Sequence, residues 1–152
     1  MKVIVRPTTA QDPVFDEIGD LFDAYRAHYG HASPSEVTHR WLREQLTERR
    51  LQLVVAMVGD RVGGFITTTV APASLTLRTF WLIRDLYVDP AYRRSGVARA
   101  LLQYVIDAAR ASGAHRLSLQ TETGNTAALR LYASAGFRSV TGLELLNLEL
   151  TA

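Results

Sequence analysis

The stretch Phe80–Gly113 constrains the fold more than any other part of the chain, because the spacing of its apolar residues changes partway along it. The segment Phe80–Val88 is rich in β-branched and aromatic residues, which predicts a strand. From Gly96 onward the period of the apolar residues switches from about two to about 3.6, which predicts an amphipathic helix. One face of that helix repeats at Val97, Leu101, Val105 and Ala109.

The remaining segments alternate between the same two patterns and are separated by short runs of turn-forming residues. Strands are predicted where β-branched residues cluster between turn signals: Lys2–Arg6, Leu51–Val58, Val62–Val70, His115–Gln120 and Glu144–Leu150. Helices are predicted after capping signals at Asp12-Pro13, at Ser33-Pro34 with an end near Arg49, and at Asn125 with an end at Ala135. This succession of strands and helices is typical of a mixed sheet with helices on its faces, in the α/β or α+β class.

The size of the chain favours one domain. It has 152 residues, of which 47% are hydrophobic, and this is enough for one core and too little for two. We find no linker, low-complexity tract or internal repeat, so a single domain over 1–152 is expected. The polar start of the chain and the short apolar runs favour neither a signal peptide nor a membrane span. A soluble, cytoplasmic protein with no membrane partner is therefore expected.

Cysteine content and charge exclude several classes of function. The chain has no cysteine, which excludes disulfides, thiolate zinc sites and a covalent acyl-cysteine intermediate. The net charge of only +2 argues against nucleic acid as a partner. The spacing of His28, His31 and His39 is not typical of a metal site, so no metal is expected.

The turn between the strand and the helix has the features of a phosphate site. The N–H groups at the start of a helix and its partial positive charge attract anions. Arg93 and Arg94 add positive charge, while Gly96 and Ala98 leave space for close approach. Neither the Walker A pattern nor the dinucleotide-binding glycine triplet is present, which argues against ATP and NAD.

Two runs in the chain resemble signatures of one enzyme family. The run Val88-Asp89-Pro90-x-Tyr92-Arg93-x-x-Gly96-x-Ala98 resembles the acetyl-CoA pyrophosphate motif of the GNAT superfamily of N-acetyltransferases, which has Arg or Gln, two residues, Gly, one residue and then Gly or Ala. The run Asn125-x-x-Ala128-x-x-x-Tyr132-x-x-x-Gly136-Phe137 is similar to the second signature of that family. The order of the predicted elements extends the resemblance to essentially the whole chain.

The resemblance implies a fold and a co-substrate. The fold is a mixed, mostly antiparallel central sheet that splays between its fourth and fifth strands, here about Trp81–Val88 and His115–Gln120, and is flanked by about four helices. Acetyl-CoA is the implied co-substrate, with its pantetheine arm in the gap between these strands. The implied cofactor-binding residues are Leu86, Tyr87 and Val88 on the strand, Arg93, Arg94, Ser95, Gly96, Val97 and Ala98 in the turn, and Asn125 on the last helix.

The resemblance also implies direct attack of a neutral amine on the thioester of acetyl-CoA. Tyr132 is the candidate acid for the departing sulfur, because it lies two helical turns after Asn125 on the same face. Packing in the core is the alternative role for this tyrosine. Asp85 is the first candidate for the base and Glu122 the second, although either carboxylate has an equally good structural or surface role. A water chain is a further route for the proton.

The acceptor is the least constrained part of the prediction. Tyr25 and Tyr29, near the end of the first helix, are the candidate lining of the acceptor pocket. Diamine acetyltransferases usually have paired acids where this chain has Arg84-Asp85, which argues against polyamines. The expected partner is a small-molecule amine or a basic peptide. A non-catalytic acyl-CoA-binding sensor or interaction domain is the alternative function.

The alternating segment Glu144–Leu150 is expected either to close its own sheet or to pair with a second copy in a homodimer.

Overall fold

The computed structural model describes residues 2–151. The chain divides into two compact units, Met1–Gln120 and Thr121–Ala152. The first unit contains the strands and three of the helices: β1 Val3–Thr8, α1 Phe15–His28, α2 Ser35–Thr47, β2 Gln52–Val58, β3 Arg61–Ala73, β4 Arg78–Val88, α3 Val97–Ala111 and β5 Leu117–Leu119. Short helical turns lie at Ser74–Thr76 and Pro90–Tyr92. The second unit contains α4, Thr126–Ser134.

The strands form one sheet in the order β1-β2-β3-β4-β5. The first three pairings are antiparallel, and β4 pairs with β5 in parallel. This confirms the predicted mixed, mostly antiparallel sheet, and the described part of the chain contains four α-helices, as expected. The hairpin from β2 to β3 turns at Gly59, whose φ of 61° is in the left-handed region that favours glycine.

Helices α1 and α3 pack on opposite faces of the sheet. On β3, the ring of Phe65 stacks on Phe22 of α1 with 5.2 Å between the ring centroids. The neighbouring Gly64 faces the other way, since a Cβ at this position would lie 3.1 Å from the side chain of Val97 on α3. Successive strand residues point to opposite faces, so the two layers of helix enclose the sheet. The core on the α1 face is formed by Phe15, Ile18, Leu21, Phe22, Leu42, Leu53, Val55, Met57, Val62 and Phe65.

The connection from β1 to α1 is held by an ion pair. The guanidinium of Arg6 donates to both carboxylate oxygens of Asp12, and the N–H of Val14 donates to Asp12 Oδ1 at 3.1 Å. The hydrogen bonds from Arg6 lower the pKa of Asp12 from its ordinary value, although partial burial opposes them. Asp12 therefore orders the turn before the helix, and α1 begins at Phe15 rather than directly after Asp12 as predicted.

The predicted start of the second helix also differs in detail. The hydroxyl of Ser33 accepts a hydrogen bond from Arg26 Nη1 at 2.5 Å. Pro34 occupies the N-cap position without a side-chain cap, and α2 begins at Ser35. Ser33, which the capping pattern predicts as the N-cap of α2, thus bonds to Arg26 of α1 instead.

The prediction of a strand at Glu144–Leu150 is wrong. Within residues 2–151, no strand follows α4. The side chains of this segment are exposed, including Leu146 at 85% and Leu150 at 87%. An alternating pattern becomes a strand only when another strand supplies hydrogen bonds, and no described strand pairs with it. The expected homodimer contact through this segment therefore has no strand to support it here.

Candidate functional site

Strand β4 has an unpaired edge near its C-terminal end. Its parallel pairing with β5 covers Trp81↔Leu117 to Ile83↔Leu119 and extends no further, whereas the strand itself continues to Val88. Within the described residues, Asp85–Val88 are paired only with β3. This is the opening between the fourth and fifth strands that the family resemblance implies, and it leaves backbone hydrogen-bonding groups without a neighbouring strand.

The direction of these backbone groups follows from the alternation along the strand. The N–H of Asp89 donates to Gly63 O on the β3 side at 2.9 Å. The backbone groups of Val88 and Leu86 therefore point to the opposite, unpaired edge. Consistent with this, Val88 O accepts a hydrogen bond from Arg93 Nε at 3.1 Å. The Tyr87 backbone points back to β3, and its ring packs against the core beside Phe65.

The turn after β4 is held by hydrogen bonds within the turn. The carboxylate of Asp89 accepts from the N–H of Ala91 at 2.9 Å, and Asp89 O accepts from the N–H of Tyr92 at 2.8 Å. The guanidinium carbon of Arg93 lies 5.4 Å from the centre of the Tyr87 ring. These contacts direct the chain from the end of the strand into α3.

The start of α3 has the backbone geometry of an anion site. Arg94 and Gly96 have positive φ values of 62° and 81°. The first intrahelical hydrogen bond runs from the N–H of Ala100 to Gly96 O, so the helix itself supplies no acceptor to the N–H groups of Val97 and Ala98. Space is open here, because a Cβ at Gly96 would meet no atom within 4 Å. Arg93, Arg94 and Ser95 are exposed around this space, whereas the side chain of Val97 is buried in the core.

A β-bulge interrupts β4 next to this edge. Thr67 pairs with Asp85 and Thr68 with Ile83, so Arg84 is the additional residue. A bulge changes the direction of the side chains beside it. As a result, Arg84 and Asp85, which are consecutive in sequence, both line the same cavity.

Asp85 is held by two hydroxyl groups. Tyr25 Oη donates to Asp85 Oδ1 at 2.8 Å, and Thr67 Oγ1 donates to Asp85 Oδ2 at 2.5 Å. Tyr25 comes from α1, and Thr67 is fully buried on β3. Each carboxylate oxygen therefore has a fixed donor, which sets the orientation of the group.

The cavity beside Asp85 has a volume of about 640 Å³. It opens on the α1 and α2 side of the sheet and is lined by Phe22, Tyr25, Arg26, Val37, Thr38, Trp41, Gln45, Arg50, Leu51, Thr69, Arg84 and Asp85. Of the two tyrosines predicted for an acceptor pocket, Tyr25 is part of this lining. Tyr29 is not, and it lies 52% exposed with its ring in edge contact with Tyr25.

Most of this lining is not predicted from the sequence. Trp41 on α2 is 46% exposed, but this exposure is known only from the structure. The side chains from α2 and β3 give no local signal in the sequence, since only the packing of α1 and α2 over the sheet brings them together.

The other predicted residues lie in the second unit. Asn125 is the N-cap of α4, and its Oδ1 accepts from the N–H of Ala128 at 3.3 Å. Tyr132 is partly buried, and its ring lies 5.7 Å from that of Phe137 between centroids. Glu122 is exposed and its carbonyl accepts from the N–H of Asn125 at 3.1 Å.

Two kinds of feature are absent from residues 2–151. They contain no group of three or more His, Cys, Asp or Glu side chains arranged to hold a metal ion. No helix in the same range is long and apolar enough to cross a membrane.

Comparison with known proteins identifies relatives over most of the chain. A sequence profile of the acetyltransferase (GNAT) family matches residues 16–137. An uncharacterized N-acetyltransferase, YhfO of Bacillus subtilis (strain 168), is 30% identical over 125 residues, which cover 82% of this chain and 84% of the relative. The ribosomal protein bS18-alanine N-acetyltransferase of Escherichia coli (strain K12) is 34% identical over 133 residues, covering 82% of this chain and 79% of the relative.

Solved structures show the same architecture. The crystal structure of a probable acetyltransferase superposes on this chain with a TM-score of 0.90. The two sequences are 29% identical, and the match covers 100% of this chain and 99% of the other.

Proposed function

Because this chain belongs to the GNAT acetyltransferase family, we propose that it is an acetyl-CoA-dependent N-acetyltransferase that acts on a primary amine by direct attack. Acceptor and acetyl donor are held in one ternary complex. The observation that supports this most strongly is the arrangement along β4. A cavity that contains Asp85 lies on one face of the last residues of this strand. The unpaired edge of the same residues continues to the start of α3. An amine and a thioester bound on these two sides meet at the bulge.

The residues of the unpaired edge and of the turn fit acetyl-CoA. The N–H groups of Val97 and Ala98 and the open space at Gly96 suit a pyrophosphate. Arg94 and Ser95 are exposed beside it. The backbone of Leu86 and Val88 is oriented to pair with the amide groups of a pantetheine arm. The resemblance adds Asn125, whose side chain caps α4 and is proposed to contact the same arm.

The chemistry needs a base for the amine. Acetyl-CoA supplies a thioester carbon that forms the new C–N bond as its C–S bond breaks. A primary amine with a pKa near ~10.4 is mostly protonated at neutral pH and must lose a proton to react. Asp85 lines the cavity with both oxygens fixed, so we assign it to accept this proton directly or through water. Glu122 is the alternative base.

The departing sulfur needs a proton, and Tyr132 is the proposed donor. This assignment rests on the resemblance to the family and on the spacing from Asn125. The chain has no cysteine, so the acetyl group cannot pass through a thioester on the protein, in agreement with direct attack.

The test is release of free CoA thiol from acetyl-CoA in the presence of a panel of amines. The panel contains polyamines, aminoglycosides, amino acids, arylamines and basic peptides. The absence of cysteine keeps the thiol background low. We expect release that depends on one class of amine and is strongly reduced in Asp85→Asn. Binding of acetyl-CoA without release for any amine would contradict the proposal and favour the sensor function.

A further inference from the structure

The bulge in β4 places a basic and an acidic residue on the wall of the cavity beside Asp85, which is the proposed acceptor cavity. In a regular strand the side chains of Arg84 and Asp85 point to opposite faces. Here Arg84 is an additional residue in the strand, and Arg84 and Asp85 both line one cavity. Consecutive Cα atoms lie about 3.8 Å apart, so a basic and an acidic residue contribute to the same wall of the cavity.

Arg84 is the arginine of this cavity that has no hydrogen-bond or ion-pair partner among residues 2–151. Arg26 donates to Ser33 and Thr38, and Arg50 is bonded to Gln45 and Glu48. Within residues 2–151 no carboxylate lies within ion-pair distance of Arg84, and its side chain is exposed. An unpaired guanidinium at the wall of a cavity is a ready site for a bidentate carboxylate or phosphate.

The charged side chains that line the cavity have a net positive charge. Among the described residues that form the cavity, Arg26, Arg50 and Arg84 are basic, and Asp85 is the one acid. A polyamine or a basic peptide would place its further ammonium groups against these arginines, which is unfavourable. An acceptor with one amine and one anion avoids this repulsion.

We propose that the acceptor is a small primary amine that also has a carboxylate or phosphate group, with the amine at Asp85 and the anion on Arg84. Its apolar part lies against Phe22 and Trp41, whose rings are 6.1 Å apart between centroids. This inference rests on the proposed function and makes Arg84 a residue that determines specificity. It narrows the acceptor from the broader class of small amines and basic peptides.

The test compares matched pairs of amines that differ in the anion alone. Phenylalanine is compared with 2-phenylethylamine, and O-phosphoethanolamine with ethanolamine, while putrescine serves as a dication. The first pair detects a preference for a carboxylate and the second a preference for a phosphate. We expect kcat/KM at least about 10-fold higher for the anionic member of one pair. Equal values within both pairs, or a preference for putrescine, would overturn the inference.

The variant Arg84→Gln assigns the effect to one residue. It should raise KM for the preferred anionic amine by about 10-fold or more. The rise in KM for the amine without the anion should be much smaller. Arg110→Gln, which removes an exposed arginine from the last turn of α3, is the control and should change neither KM. An equal rise of both KM values in Arg84→Gln would show a structural role instead.

Calorimetric binding of the same amines in the presence of CoA separates this inference from the proposed function. Binding of an anionic amine that is lost in Arg84→Gln supports the inference, even where no thiol is released. Thiol release with amines that lack an anion, and no binding preference for the anionic ones, overturns the inference and leaves the transferase intact. If there is neither binding nor release, both are wrong.

Discussion

The phenol of Tyr25 on α1 donates a hydrogen bond of 2.8 Å to the carboxylate of Asp85 on β4, across 60 positions of sequence. Thr67 donates to the other oxygen of the same carboxylate. Both donors come from elements that pack on β4 from different sides, one from the helix layer and one from the neighbouring strand. The orientation of Asp85 is therefore a property of the packed sheet and helix together.

Replacement of Asp85 tests its assignment as the base. Asp85→Asn keeps the size of the side chain and removes its ability to accept a proton at neutral pH. We expect kcat to fall by about 100-fold, while the Kd of acetyl-CoA stays unchanged because Asp85 faces the cavity on the α1 side. Steady-state kinetics and calorimetry measure the two quantities. Asp60→Asn, in the exposed turn before β3, is the control. Full activity of Asp85→Asn would transfer the assignment to Glu122 or to water.

Removal of the Tyr25 hydroxyl tests whether the orientation of Asp85 matters. Tyr25→Phe keeps the ring contacts with Phe22 and Phe65 and loses the hydrogen bond to the carboxylate. We expect kcat/KM to fall by about 10-fold with little change in melting temperature. Tyr104→Phe on α3 is the matched control. Equal activity of the two variants would show that Thr67 alone is enough to orient Asp85.

The proposed phosphate site at the start of α3 is tested by substitutions at two glycines with similar positive φ values. Gly96 and Gly113 have φ values of 81° and 77°, and a Cβ at either position meets no atom within 4 Å. Leucine at either position costs about 1–2 kcal/mol of stability, because its Cβ is unfavourable in the left-handed region. Gly96→Leu should also raise the Kd of acetyl-CoA at least about 10-fold, since the side chain occupies the space of the phosphates. If calorimetry gives Gly96→Leu and Gly113→Leu the same Kd, the phosphate site lies elsewhere.

Tyr132 is tested as the acid for the sulfur. Tyr132→Phe removes the phenol and keeps the ring that packs beside Phe137. Turnover should fall by at least about 10-fold with little loss of acetyl-CoA affinity, and the loss should be smaller for an acetyl thioester whose thiol has a lower pKa. Unchanged turnover would show that Tyr132 has only a structural role.

The ion pair before α1 predicts how stability depends on pH. Arg6 holds the pKa of Asp12 below its ordinary value in the folded protein, so the unfolded chain binds a proton more readily. The stabilisation is therefore complete above the unfolded pKa of about 3.9 and is lost as the pH falls through the folded pKa. Asp12→Asn should lower the free energy of unfolding by about 1 kcal/mol at neutral pH. Urea titrations should show this difference shrinking below about pH 4, and a constant difference down to pH 3 would contradict the assignment.

Elements that depend on local spacing can be predicted from the sequence without a structure. The predicted strand Phe80–Val88 lies within β4, Arg78–Val88, and the helix predicted from Gly96 is α3, Val97–Ala111. Apolar period and turn residues act within a few positions of one another, so these elements and the family resemblance are visible without tertiary structure. The turn residues Arg93–Ala98 are predicted as a phosphate site in the same way, since a helix start is a local feature.

Features that need a neighbouring strand or helix are visible only in the folded protein. The bulge at Arg84 exists because β3 pairs with β4 in a shifted register, and the strand alone predicts Arg84 and Asp85 on opposite faces. The cavity exists because α1 and α2 pack over the sheet, which joins Trp41 to Asp85. The segment Glu144–Leu150 has the pattern of a strand but no described neighbour, because backbone hydrogen bonds in a sheet come from another strand and not from the sequence of the strand itself.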